Sequence, residues 1–120
     1  MAKKSTIRIP NLELHVLTGL LALSCLGAVS VFWKTPELLL LMLTAIAISI
    51  ISIGGEKRRD AALFILVAAW GAISETVAIH FGAWSYPQPA LFGIPYWLPL
   101  VWGIAGIFIK RLYQGIKECI

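Results

Sequence analysis

Charge is the scarcest resource in this sequence. Lysine and arginine number 10 and aspartate and glutamate 6 in 120 residues, so 13% of the chain is charged while 59% is hydrophobic. A soluble domain is closer to one quarter charged, which excludes an ordinary water-soluble globule and predicts an integral membrane protein. Only two cysteines and two histidines occur. Cys25 falls within an apolar run and Cys119 near the C-terminus, so no disulfide is expected, and His15 and His80 are expected on opposite sides of the membrane, where they cannot share a metal. Glycine-rich phosphate loops, a Gly-x-Ser-x-Gly motif and internal repeats are also missing, which removes the commonest signals for nucleotide binding, serine hydrolysis and solenoids. Neither a cofactor nor a metal is expected.

What the chain has in quantity is apolar length. Four stretches, residues 16–33, 38–54, 61–82 and 95–113, approach the roughly 20 residues that cross about 30 Å of hydrocarbon. Runs such as LLLLMLTAIAISIISI lack the alternation of a barrel strand, and lipid leaves a lone segment only the helix as a way to satisfy its backbone. The expected fold is all-α: one domain over residues 1–120, an antiparallel four-helix membrane bundle with an interfacial loop at 83–94. The turn Lys34–Glu37 and the segment Gly54–Asp60 are short connections that make sequential helices neighbours, with Pro36 opening the second helix and Asp60 capping the third. LALSC ahead of Cys25 resembles a lipoprotein cleavage site, but apolarity continues to Trp33 and Ala22 stands where such sites favour leucine, so an uncleaved span is expected.

Basic residues orient the bundle. Lys3, Lys4, Arg8, Lys57, Arg58, Arg59, Lys110, Arg111 and Lys117 fall on one side and Lys34 alone on the other, nine against one. Both termini are therefore expected to be cytoplasmic, in a bacterial or archaeal inner membrane, and the net charge of +4 reads as a topology device rather than a nucleic-acid footprint.

One acidic residue conflicts with its solvent. Glu75 lies seven residues before Gly82, about 10 Å below the end of its span. An ionised carboxylate at such depth costs at least about 2.5 kcal/mol, so the residue should face the bundle interior, and desolvation with no lysine or arginine at its level favours a bound proton. Ala68, Gly71, Ala72, Ser74, Ala78 and Gly82 form a small-residue face around it that admits a neighbouring helix closely. Counting the same depth down the other spans reaches Thr44, Trp102 and Leu26, the last with Ser24, Cys25 and Gly27 beside it, which predicts a polar layer of Glu75, Thr44 and Ser24 roofed by Trp102. His80, about 140° around the helix from Glu75, is expected at the mouth as a loop anchor or proton relay. Trp33, Trp84, Tyr86, Tyr96 and Trp97 cluster at the same boundary, where a membrane belt is their ordinary role. Pro95 is expected in the first turn of the fourth helix and Pro99 at a kink within it.

The run ETVAIHFGAWSY followed by FGIPYWLPLVW resembles the membrane carotenoid-biosynthesis family that contains bacterioruberin-type carotenoid hydratases and, more distantly, small-subunit carotenoid cyclases. The resemblance spans Gly71 to Gly106 and rests on Glu75, Phe81, Gly82, Trp84, Tyr86, Gly93, Pro95, Pro99 and Trp102. It implies that Glu75 acts as the acid toward a polyene double bond, with Trp84, Tyr86, Trp97 and Trp102 around an isoprenoid-like or lipid ligand. A four-span chain with a single intramembrane glutamate and the segment GAISE is also similar to the small multidrug exporters, whose glutamate lies in the first span rather than the third. That likeness implies a homodimer exchanging protons for cations. A third expectation is a non-catalytic subunit that docks a partner in a membrane complex.

Overall fold

A computed structural model of the chain describes residues 11–120; Lys3, Lys4 and Arg8 of the charge pattern lie outside the described residues. Four helices follow in order, α1 Leu12–Phe32, α2 Pro36–Ser52, α3 Lys57–His80 and α4 Leu98–Cys119, and no strand occurs among the described residues beyond one isolated bridge between Leu91 and Ile94. The all-α expectation and its element order hold. Two helices, α1 and α3, are long and apolar enough to cross a membrane, and α2 is an apolar helix of 17 residues.

The boundaries differ from the apolar stretches for physical reasons. Helix α3 begins at Lys57, because basic residues form helix as readily as leucine does and the end of an apolar run is not a stop signal. Helix α4 begins at Leu98 instead of Pro95, so Pro99 falls in its first turn. There the missing N–H is one of the groups a helix leaves unpaired in any case, and the expected mid-helix kink has no cause. Pro36 does open α2. Asp60 does not cap α3: Glu56 occupies the cap position without a side-chain bond, and Asp60 lies buried in the first turn.

Packing also departs from simple chain order. Helix α4 packs most extensively on α3 and meets α1 and α2 as well, while α2 and α3 touch sparsely despite their short connection. The reason is a set of interlocks on α3 and α4. On α3 the residues Asp60, Phe64, Val67, Gly71 and Glu75 recur at steps of four and three, one helical stripe. A Cβ on Gly103 would stand 2.6 Å from the Phe64 ring and one on Gly106 2.8 Å from Val67, so each α4 glycine receives an α3 side chain. Gly71 reverses the arrangement and receives the indole of Trp102, with no room for even a methyl group. Helix α2 contributes a second stripe, Leu39, Leu43, Ala47 and Ile50, to the core, joined by Cys25 and Ala28 of α1 and Ile104 and Ile107 of α4.

Gly71→Ala is expected to destabilise the fold by about 1–3 kcal/mol, the usual cost of forcing extra volume into a packed contact. In a Trp102→Ala background the same substitution should cost almost nothing, because the obstructing ring is gone. Thermal midpoints of the four proteins of this cycle measure the coupling, and equal costs in both backgrounds would refute the interlock.

Candidate functional site

Residues 81–97 connect α3 to α4 and cover one end of the bundle, here termed the loop end. The segment turns at Gly82, Phe92 and Gly93, which all have positive φ. Glycine at 82 and 93 takes this conformation without steric cost. Past the turns, Ile94, Pro95 and Trp97 are buried, which seats the loop's second half on the bundle.

Glu75 is where the loop and both helices converge. Its side chain is 8% exposed. Its Oε1 accepts hydrogen bonds from Trp84 Nε1 at 3.0 Å and from the Tyr86 hydroxyl at 2.5 Å, and its Oε2 accepts one from Trp102 Nε1 at 2.8 Å. Three donors from two segments thus meet one carboxylate of a third, and no cation takes part. Indole N–H groups only donate. The Tyr86 hydroxyl is the one partner of Glu75 that has lone pairs of its own to offer as well as a proton to give. Burial, then the hydrogen bond to Glu75, then the charge of that carboxylate raise the Tyr86 hydroxyl above the usual phenol range, which keeps it a donor at neutral pH.

Of the residues singled out in the sequence, the structure brings Trp84, Tyr86 and Trp102 onto Glu75 and places Trp97 one step away, its ring edge-on to Tyr86 with centroids 6.4 Å apart. Thr44 and Ser24 are elsewhere. Both are exposed and donate back into their own helices, Thr44 to the Leu40 carbonyl at 2.7 Å and Ser24 to the Leu20 carbonyl at 2.9 Å. Matching depth did not match azimuth: Thr44 is one residue past buried Leu43, about 100° around α2 and off its buried stripe. His80 is exposed, edge-on to Phe81 at 5.2 Å, and makes no hydrogen bond to Glu75.

The space beside this knot lies on its α1 side. A cleft of about 460 Å³ is lined by Val29, Ser30, Trp33, Tyr86, Pro87, Gln88, Pro95 and Trp97. Glu75 and Trp102 are not on its walls. Tyr86 links the two features, since it lines the cleft while its hydroxyl is tied to Glu75.

A second polar cluster, unanticipated from the sequence, ties the opposite end. Asp60 and Arg111, 1% and 2% exposed, pair at 2.7 Å, and Arg111 also donates to Thr18 of α1 at 3.1 Å. Lys110 donates to Asp60 as well and reaches Glu56 at 3.4 Å. A Cβ on Gly54, just after α2, would collide with the Arg111 guanidinium. All four helices or their ends therefore meet at one arginine. The signal was available in the sequence: Asp60 and Arg111 occupy the same end of adjacent spans, but Asp60 read as a helix cap and Arg111 as one of the basic residues that orient the chain.

No protein-family model matches the chain, and no curated protein and no solved structure was found similar to it.

Proposed function

We propose that the chain is a four-span membrane protein, with both termini on the cytoplasmic side, that binds an apolar isoprenoid-like or lipid molecule at its loop end near the outer leaflet. The membrane setting is supported by what the bundle leaves outside: Leu23, Leu26, Val31, Leu41, Ile65, Leu66, Trp70 and Ile73 are each more than half exposed, a surface that water would penalise and acyl chains would not. Among the described residues, Lys57, Arg58, Arg59, Lys110, Arg111 and Lys117 at the terminal side against Lys34 at the loop side support the orientation.

The observation that carries the binding reading is the aromatic cleft whose wall, Tyr86, is held in place by a buried carboxylate. Clefts of a few hundred Å³ with aromatic walls and few polar groups are typical of small-molecule sites. Glu75 serves such a site as a positioning residue, because both its oxygens are occupied by loop and α4 donors and neither faces the cleft. Direct protonation of a polyene by Glu75, as the carotenoid-family resemblance implies, would require Tyr86 or Trp84 to move aside first. The geometry thus favours binding over acid catalysis.

Organic extraction and mass spectrometry of the purified protein test the proposal. A lipid-soluble molecule is expected in stoichiometric amount with the wild type and at less than about a tenth of that with Trp97→Ala, since Trp97 forms a wall of the cleft and about 1.4 kcal/mol of lost contact is tenfold in affinity. A wild type that carries no such molecule yet retains a stoichiometric protein partner would replace this reading with that of a membrane-complex subunit. Proton-coupled cation efflux that disappears in Glu75→Gln would replace it with that of an exporting homodimer.

A further inference from the structure

The chemistry of the cleft narrows the class of ligand. None of its eight lining residues is charged, although the chain carries Lys34 next to Trp33. The Lys34 ammonium instead stands over the Trp33 ring, 5.2 Å from its centroid. Phosphate, carboxylate and ammonium head groups would therefore enter the cleft with no counter-charge on its walls, at a desolvation penalty that the apolar lining does nothing to offset.

Hydrogen-bonding capacity is nonetheless present, and all of it is neutral. Ser30 donates its proton to the Leu26 carbonyl at 2.8 Å, which leaves its oxygen only as an acceptor. The Tyr86 hydroxyl is committed to Glu75. Pro87 and Pro95 have no backbone N–H to offer. Trp33 and Trp97 supply indole N–H donors and no acceptor. That leaves Gln88, exposed on the loop, as the lining residue whose side chain brings both a donor and an acceptor.

Gln88 also borders a second recess, of about 210 Å³, lined by Pro36, Glu37, Leu40, Pro89, Ala90, Pro95 and Tyr96. Shared Gln88 and Pro95 make the two recesses neighbours under the loop, so the amide sits where an extended molecule would pass from one to the other.

We infer that the cleft is selective for an apolar chain ending in an uncharged oxygen group, a hydroxyl or a carbonyl as in a prenyl alcohol or a prenylquinone, and that Gln88 is the residue that selects it. The inference rests on the proposed binding of an isoprenoid-like or lipid molecule and adds the character of the head group. Tyr86, Trp97 and Trp33 enclose the group on apolar or ring surfaces, while the Gln88 amide donates to its oxygen and accepts from its hydroxyl where it has one.

The test is a comparison of four probes on the full chain in phosphatidylcholine nanodiscs, followed by tryptophan emission. Geranylgeraniol, decylubiquinone, geranylgeranyl phosphate and squalene supply a hydroxyl, a carbonyl, an anion and no polar group. The alcohol, the quinone or both should bind about three- to tenfold more tightly than squalene and than the phosphate, the factor one neutral hydrogen bond gives. Gln88→Leu, on an exposed loop position, should bring that ratio over squalene close to one without altering squalene binding. Phosphate binding as tight as alcohol binding would overturn the head-group inference and leave the apolar-ligand reading standing. An unchanged ratio in Gln88→Leu would overturn the role of Gln88. Failure of all four probes to bind would defeat the underlying reading, and the inference with it.

Discussion

Asp60→Leu is expected to lower the stability of the bundle by about 3–5 kcal/mol, the typical result of removing one partner from a buried ion pair. The substitution leaves the Arg111 guanidinium, 2% exposed, with Thr18 as its remaining partner and no counter-charge at hydrogen-bond distance. Lys110 is less affected, because it is partly exposed and retains Glu56 at 3.4 Å. The cost thus comes from the stranded charge and not from a lost attraction. That distinction gives the prediction its second half: Asp60→Leu combined with Arg111→Leu should recover most of the loss, since replacing a whole buried pair by apolar side chains is often neutral. Denaturant titration in detergent, followed by circular dichroism, measures both. An Asp60→Leu variant within about 1 kcal/mol of wild type would mean that Arg111 is not buried as described, because an uncompensated interior charge is never that cheap. By contrast, the Arg59–Glu56 pair at 3.1 Å has a largely exposed arginine, and its loss should be hardly measurable.

At the loop end the corresponding substitution is Glu75→Leu, and its effect should be local. Three donors lose their acceptor, and each buried one left unpaired costs about 1–3 kcal/mol. Trp84 is 50% exposed and can turn to another partner, so Trp102 and Tyr86 bear the cost. The chain can limit this cost by releasing the loop, which turns on Gly82 and Gly93 and is held to Glu75 through Trp84 and Tyr86. The expected result is faster amide hydrogen exchange across residues 83–92 and a red-shifted tryptophan emission, with protection around Asp60 and Arg111 unchanged. Glu75→Gln should fall between Leu and wild type, because its carbonyl oxygen can still accept while its NH2 confronts the remaining indole donor. On the proposed binding reading, affinity for the apolar ligand should weaken in the same order, since Tyr86 forms a wall of the cleft. Identical exchange in Glu75→Leu and wild type would show that the carboxylate does not hold the loop.

The two clusters differ in how readable they were. Glu75 was conspicuous because it is isolated: a single acid in an apolar run announces itself, and counting residues from a span end places Trp102 at its level. Trp84 and Tyr86 were candidates only as members of an aromatic boundary. Their attachment to the carboxylate depends on loop turns at Gly82, Phe92 and Gly93 that no periodicity encodes. Thr44 was misplaced by the same depth argument that succeeded for Trp102, because depth constrains one coordinate of a side chain and the helix's rotation supplies the other. Asp60 and Arg111 escaped notice for the opposite reason to Glu75. Surrounded by Lys57, Arg58, Arg59 and Lys110, they looked like a solvated end, although both are buried.

Composition and hydrophobic run length alone determined that the chain is four helices in sequence, because those properties depend on solvent and on backbone satisfaction, which every apolar segment meets in the same way. Which helix sits at the centre was decided only in three dimensions. Short connections favour chain neighbours, but the fit of Phe64, Val67 and Trp102 into glycine gaps and the charge pairing at Arg111 are contacts between particular surfaces, and these put α4 against all three of its companions. The site followed from that choice, since a carboxylate on α3 acquires its indole and phenol partners only when α4 and the loop before it close over the same face.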